Sequence, residues 1–502
     1  MKFGAKIIQG LFWGQVGMSL RSFITFAVSI IVARHLGASS FGVYSALVST
    51  IAILLRLSNL GIYSVFNNYL PQFETEGKRG ETSYLVRRAG LLRIAILLLL
   101  GGGLFYLRNP LASYFDLPAL KDFAAVMVFW LFVRGLSDLF INVIMSRVKM
   151  RFFAFVETTI SIIQILGVLY LAKTGMDIPS LIALAIIVYS IQCLFYAVGT
   201  RETYLQPEHK TDLKPIVKYG LVISLSMFIQ YFLKNDIDLL MIMYFLKDSS
   251  LVGYYNIAYL LSTTGGYALL AAVNSLTLPI MSEAYTKSGM KGLENAWLFL
   301  YKISLVLSAP VFAFMIFQAD NIIEIFYSSE YSQATGLLIF FSIFYWLSAF
   351  FGTGAAVTVL LPLGKERWVL YLRGGGGILN LVMNLFLIPL VGIQGAVFAT
   401  GVSFFILTIV ELTVVLKLTH FRLPVGFALK MAPIILLPAL TTILIGEMVL
   451  SWLIVCALLY GLIVIKLTFS LNPLNKRELE MLEDAMPSLA EMLKKCRLLP
   501  SS

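Results

Sequence analysis

Residues 180–199 read SLIALAIIVYSIQCLFYAVG, twenty consecutive positions without an Asp, Glu, Lys or Arg. As a helix this stretch rises about 30 Å, the thickness of a bilayer's hydrocarbon core. Inside that core no water can satisfy a peptide group, so each crossing segment must close its own backbone hydrogen bonds, as a helix does. The same window recurs along the chain. Fourteen are read, at 8–33, 42–69, 86–107, 122–146, 153–172, 180–199, 218–246, 251–280, 293–318, 333–361, 368–390, 392–416, 424–445 and 448–467. The first is expected to be a span and not a cleavable leader, because Gln15 and Arg21 interrupt its apolar run and many spans follow.

Composition agrees. Of 502 residues, 59% are hydrophobic and 13% charged, against about 25% charged in ordinary soluble domains, which excludes a soluble multidomain enzyme. The net charge of +11 comes from basic residues scattered between apolar runs, so membrane topology explains it better than nucleic acid does. Cys193, Cys456 and Cys496 are too dispersed for a disulfide framework. His35, His209 and His420 lie in separate connections without a second ligand nearby. No metal site or cofactor is expected.

An even number of spans puts both termini on one side, and Lys and Arg favour the cytoplasm. With cytoplasmic termini, the cytoplasmic segments hold 26 Lys/Arg and the outer connections 5. Lys78, Arg79, Arg87 and Arg88 then fall inside, and Asp320, Glu324 and Glu330 outside. No connection is long enough to hold an appended catalytic domain. The tail repeats Leu479, Leu482, Met486, Leu489 and Leu493 at helical spacing among charges, the pattern of an amphipathic surface helix.

A weak internal repeat runs through the spans. Ser39-Ser40-Phe41-Gly42-Val43-Tyr44 resembles Ser249-Ser250-Leu251-Val252-Gly253-Tyr254, and Gly175 matches Gly392 at a similar offset. Six spans separate the copies, so the repeat is parallel. The expected fold is an all-α polytopic membrane protein of about 14 transmembrane helices: two six-helix bundles around a central cavity, plus two extra helices. The expected divisions are an N-terminal bundle (1–199), a cytoplasmic linker (200–217), a C-terminal bundle (218–418), two additional helices (419–467) and a cytoplasmic tail (468–502).

An ionisable side chain in hydrocarbon costs roughly 2.5–3.5 kcal/mol on insertion scales, so those that persist face a cavity or a partner. Arg93, Arg373 and Lys302 lie near span ends and are expected to snorkel. Arg21, Arg56, Arg134 and Lys234 fall near span midpoints. Arg134 has Asp138, and Lys234 has Asp238, four residues on, which puts each pair on one helix face. Arg21 and Arg56 have no acid within one turn, so another helix, water or an anionic ligand must compensate them. Asp236, Glu411 and Glu157 are the remaining membrane acids, each readable as a coupling-ion site or as a counterion. The runs Gly101–Gly103 and Gly374–Gly377, and Gly352-Thr353-Gly354, sit in apolar windows and read as helix packing, not as nucleotide loops.

Several segments resemble one family. Ala33-Arg34-His35-Leu36-Gly37-Ala38 with Phe41-Gly42-Val43-Tyr44, then Leu60-Gly61-Ile62, is similar to the opening of the bacterial oligosaccharide flippases of the multidrug/oligosaccharidyl-lipid/polysaccharide exporter (MOP) superfamily. Asp236–Leu240, Gly253–Ala258 and Asn384–Pro389 with Gly392–Ala396 continue the likeness. It implies a fourteen-helix transporter in the bacterial cytoplasmic membrane that moves a polyprenyl-pyrophosphate-linked oligosaccharide by alternating access. The implied partners are that glycolipid, membrane lipids and polysaccharide polymerase machinery. On this resemblance Arg21, Arg56, Lys234 and Arg134 become candidate pyrophosphate ligands, since forked guanidinium groups suit phosphate oxygens. Asp236, Asp238, Glu411 and Asp138 become candidate coupling-ion or counterion sites. Rival readings are a lipid II flippase, a cation-coupled small-molecule exporter of the same superfamily, and a membrane-embedded polysaccharide polymerase or ligase. The last would need sizeable outer loops, which the sequence lacks.

Overall fold

The computed structural model describes residues 2–231, 235–267, 270–352, 355–442, 446 and 448–471. Lys234 and the amphipathic pattern beyond residue 471 lie outside the described residues. The protein is an all-helical polytopic membrane protein, and no strand occurs among the described residues. Large apolar side chains such as Leu99, Leu166, Leu194 and Phe386 are each at least 60% exposed, as expected where the surrounding solvent is lipid.

The chain divides into two compact units, 1–256 and 257–502. The first holds α1 (Lys2–Leu57), α2 (Ile62–Thr75), α3 (Arg79–Tyr106), α4 (Arg108–Phe115), α5 (Pro118–Ser146), α6 (Met150–Thr174), α7 (Ile178–Tyr204), α8 (Lys214–Tyr231), α9 (Asn235–Leu246) and the start of α10 (Ser249–Leu260). In this unit α1 packs on α6, α9 and α5, while α5 packs on α3 and α7. One apolar core joins Phe66, Leu70, Val86, Leu139 and Ile216, and a second joins Ile144, Phe153, Val156, Ile160 and Tyr196. The helix α7 starts in a reciprocal cap: the Ser180 amide donates to the Asp177 carboxylate, and the Asp177 amide donates to Ser180 Oγ.

The second unit contains α11 (Leu270–Phe317), α12 (Ala319–Tyr327), α13 (Ala334–Ala349), α14 (Ala355–Thr358), α15 (Glu366–Val391), α16 (Ile393–Thr419), α17 (Val425–Thr441) and α18 (Leu450–Leu471). Here α15 packs along α16, and α13 bridges α11 and α16.

Not every apolar window becomes its own long helix. Nine helices among the described residues are long and apolar enough to cross a membrane. Windows 8–33 and 42–69 are the two arms of α1, parted where Gly37 leaves helical geometry (φ 72, ψ 169). Window 251–280 holds a π-helical turn at Leu261–Gly265, and windows 251–280 and 293–318 are parted inside α11 where Ser288 and Gly289 leave helical geometry. Windows 333–361 and 424–445 yield the shorter α13 and α17, and the described residues of window 218–246 lie in α8 and α9. Backbone at positive φ, which only glycine adopts without strain, makes several of these breaks. Gly352, expected inside a helix, sits at φ 77 between α13 and α14.

One expectation about snorkelling cations is corrected. Arg93 is only 2% exposed and turns inward, its guanidinium donating to the Gly135 and Leu55 carbonyls at 3.4 Å each, so backbone carbonyls compensate it in place of headgroup water. Arg373 keeps a side chain 41% exposed and approaches Glu411 on α16, with Nε 3.5 Å from Oε1. Lys302 lies over the Phe427 ring at 5.4 Å.

Candidate functional site

Window 42–69 places Arg56 at a span midpoint, but the structure places it in the last turn of α1. The helix stops because Leu60 (φ 43) and Gly61 (φ 77) adopt left-handed backbone. A Cβ at Gly61 would overlap the backbone of Gly220 on α8, so this turn can be made only by a residue without a side chain. The break inside an apolar window delivers the end of α1 to Tyr231 on α8 and Asp236 on α9.

A cavity of about 530 Å³ opens at this junction, lined by Arg56, Asn59, Arg134, Asp138, Tyr231 and Asp236 among others. Its size falls within the range of small-molecule sites. Arg56 is exposed, and its guanidinium carbon lies 5.5 Å from the centroid of the Tyr231 ring. No carboxylate among the described residues forms an ion pair with it. The Tyr231 hydroxyl donates to Asp236 Oδ2 at 2.5 Å, and Ser49 donates to Oδ1 at 3.3 Å.

Arg134 on α5 faces Asp138 one turn on, with Nε 3.7 Å from Oδ1, beyond good hydrogen-bond length. That Nε is buried and has no hydrogen-bond partner. The Arg134 guanidinium also stacks on the Tyr189 ring, 3.9 Å from its centroid.

Arg21 differs, because it is already neutralised. Its Nη1 donates to Glu157 Oε2 at 2.5 Å. Glu157 is fully buried, and its other oxygen accepts from Gln192 Nε2 at 2.8 Å and from the Tyr196 hydroxyl at 2.6 Å. Ser137 completes the set by donating to Gln192 Oε1. This is a satisfied network that ties α1 to α6, α7 and α5, whereas Arg56 and Arg134 keep donors in reserve.

Among the other candidates, Asp238 is buried and accepts from the Tyr255 hydroxyl at 2.6 Å. Glu411 lies in the second unit beside Arg373. The structure thus brings Arg56, Arg134, Asp138 and Asp236 to one cavity, sets Arg21 in a neighbouring network, and leaves Asp238 and Glu411 in other surroundings. Sequence reading missed Tyr231, Tyr189, Gln192 and Tyr196. The Leu60-Gly61 pair was the available signal for a broken helix.

These features define a class, a multi-pass helical membrane protein with a charge-lined cavity where a helix stops inside an apolar window. Solved structures give the fold. The chain is similar to the lipid II flippase MurJ in an inward closed conformation, with a TM-score of 0.67 at 15% identity over 89% of this chain and 98% of that one. It is also similar to an inward-facing multidrug resistance MATE transporter of the MOP superfamily, with a TM-score of 0.64 at 16% identity over 81% of this chain and 98% of that one. In sequence it is similar to the probable low-salt glycan biosynthesis flippase Agl15 of Haloferax volcanii, 22% identical over 386 residues, 76% of this chain and 77% of that protein. The polysaccharide biosynthesis protein family model matches residues 31–336, more than half of the chain, and the chain belongs to that family. The fold is the one these two transporters share.

Proposed function

We propose that the chain is a flippase that carries a polyprenyl-pyrophosphate-linked oligosaccharide across the cytoplasmic membrane by alternating access, with both termini in the cytoplasm. The observation that carries this reading is Arg56, an exposed cation inside an apolar window that lines the cavity and forms no ion pair with a carboxylate among the described residues. Such a charge is costly in a membrane unless an anion visits it. A pyrophosphate supplies that anion, and the guanidinium fork can grip two of its oxygens. Arg134 offers a second fork, and the carboxylates of Asp138 and Asp236 can accept hydrogen bonds from sugar hydroxyls. The polyprenyl tail remains in lipid while the headgroup passes. The family and the likeness to a glycan flippase support this substrate class over a small-molecule exporter. The same site would serve lipid II, whose headgroup also carries a pyrophosphate.

Asp236, Asp238, Asp138 and Glu411 are proposed as counter-charges or coupling-ion sites, and Lys234 and Arg21 as secondary cations. Polysaccharide polymerase machinery is the proposed downstream partner. The test is a deletion strain complemented with wild type, Arg56→Lys or Arg56→Ala at equal membrane levels. Lipid-linked glycan should accumulate in the cytoplasmic leaflet of the deletion strain and of the Ala variant, and partly in the Lys variant, since an ammonium is a compact, strongly hydrated charge without the fork. Normal surface glycan from the Ala variant would refute the role of Arg56.

A further inference from the structure

Arg21 and Arg56 are both cations in apolar windows, yet the protein compensates them differently. A buried carboxylate quenches Arg21. Arg56 instead rests on an aromatic ring, 5.5 Å from the Tyr231 centroid, and Arg134 repeats the arrangement at 3.9 Å on Tyr189. A ring attracts a guanidinium through its quadrupole but carries no net charge. It therefore shields one face of the cation and leaves its edge donors and its charge for an anion.

The Tyr231 ring is itself fixed. Tyr231 lies on α8 and is 6% exposed. Its hydroxyl donates to Asp236 in the first turn of α9, and Asp236 accepts from Ser49, seven residues before Arg56 on α1. The contacts close a loop that begins and ends on α1, passing from Ser49 through Asp236 and Tyr231 to Arg56. Flexible arginine side chains lose conformational entropy when a ligand orders them. A ring anchored at its hydroxyl spares part of that loss by holding the guanidinium before the ligand arrives.

We propose that Tyr231 is a positioning residue for anion binding, an aromatic shelf that holds the Arg56 fork toward the cavity without neutralising it. The proposal rests on the anion-site reading above, and the test separates the two. Full-length protein in nanodiscs is titrated with inorganic pyrophosphate by calorimetry, and monodispersity and melting midpoint are recorded for every variant. Arg56→Ala should abolish or strongly weaken binding. Tyr231→Leu, which removes ring and tether, should weaken it about 2- to 30-fold, the span of cation–π strengths from exposed to desolvated sites. Tyr231→Phe keeps the ring and guards against misfolding, and should lose less than Tyr231→Leu. In an Arg56→Ala background, Tyr231→Leu should cost nothing more, because the shelf would have nothing left to hold.

Wild-type affinity in Tyr231→Leu, with Arg56→Ala impaired, would overturn the shelf and leave the anion site standing. Equal losses from Tyr231→Leu with and without Arg56 would overturn it too, by showing a general structural effect. Failure of the wild type to bind pyrophosphate, or wild-type binding by Arg56→Ala, would remove the anion site and the shelf together.

Discussion

Replacing Arg21 by Ala strands a carboxylate. Glu157 is 0% exposed, and its remaining donors, Gln192 and Tyr196, are both neutral. Breaking a buried ion pair by removing one partner typically costs ~3–5 kcal/mol. Replacing Glu157 by Gln costs less, because the Arg21 side chain is 33% exposed and can turn toward water; the loss is then about one charge-assisted hydrogen bond, ~1.5–3 kcal/mol. The double variant Arg21→Ala/Glu157→Gln removes both charges and keeps a polar group beside Gln192 and Tyr196. It should therefore be more stable than Arg21→Ala alone, so that the second substitution repairs the first. At about 2–4 °C per kcal/mol for a unit of 150–250 residues, Arg21→Ala should lower the melting midpoint by on the order of 10 °C, with the double variant recovering about half. Fluorescence-detected size-exclusion chromatography of heated membrane extracts measures this directly. If the double variant melts with or below Arg21→Ala, the stranded-carboxylate argument is wrong. Transport provides the functional counterpart: a double variant that folds and still transports assigns Arg21 to architecture, and leaves Arg56 and Arg134 to the ligand.

Other outcomes follow from local geometry. Gly42→Ala should sharply reduce folded protein, because its Cβ would overlap the Ser249 carbonyl on α10, whereas Gly102→Ala meets nothing within 4 Å and should be tolerated or mildly stabilising; chromatographic yield compares them. Cysteines at Lys78 and Ser329 in a cysteine-free background should show opposite accessibility in intact cells, with an impermeant thiol reagent labelling only the one at Ser329; the reverse result would invert the topology. The hydrogen bonds from Ser180 hold the Asp177 carboxyl below its usual range. Its capping contribution is therefore present above the ordinary carboxylate value and lost as pH falls below it. Asp177→Ala should loosen the start of α7 at neutral pH, read by hydrogen exchange there, while Asp177→Ser should restore the cap.

The membrane class was legible because an apolar run of twenty residues such as 180–199 admits one solution in lipid. Helix interruptions were legible in part. Gly37 and Ser288-Gly289 part helix segments in the gaps between windows, but Leu60-Gly61 ends α1 inside an apolar window. Hydropathy averages over such positions, since one left-handed residue leaves the mean unchanged. Among charges, the Arg134 and Asp138 pair was readable because spacing of four sets both on one face. The partner of Arg21 was not, because Glu157 lies 136 positions away and meets it only through helix packing. For the same reason Arg93 was misread as snorkelling: its compensating groups, the Leu55 and Gly135 carbonyls, come from other helices. Sequence distinguishes a cation that needs a partner from one that does not, but it cannot tell a carboxylate partner from a tyrosine shelf.

The most direct test of the flippase reading is reconstitution. Purified protein in sealed liposomes would be supplied with a short-chain polyprenyl-pyrophosphate-linked oligosaccharide in one leaflet, and its arrival in the other followed with an impermeant glycan-modifying enzyme. Wild type should accelerate transfer over empty liposomes, and Arg56→Ala, equally well inserted, should not. Transfer at the protein-free rate by folded wild type under every imposed ion gradient, or equal rates for wild type and Arg56→Ala, would contradict the account.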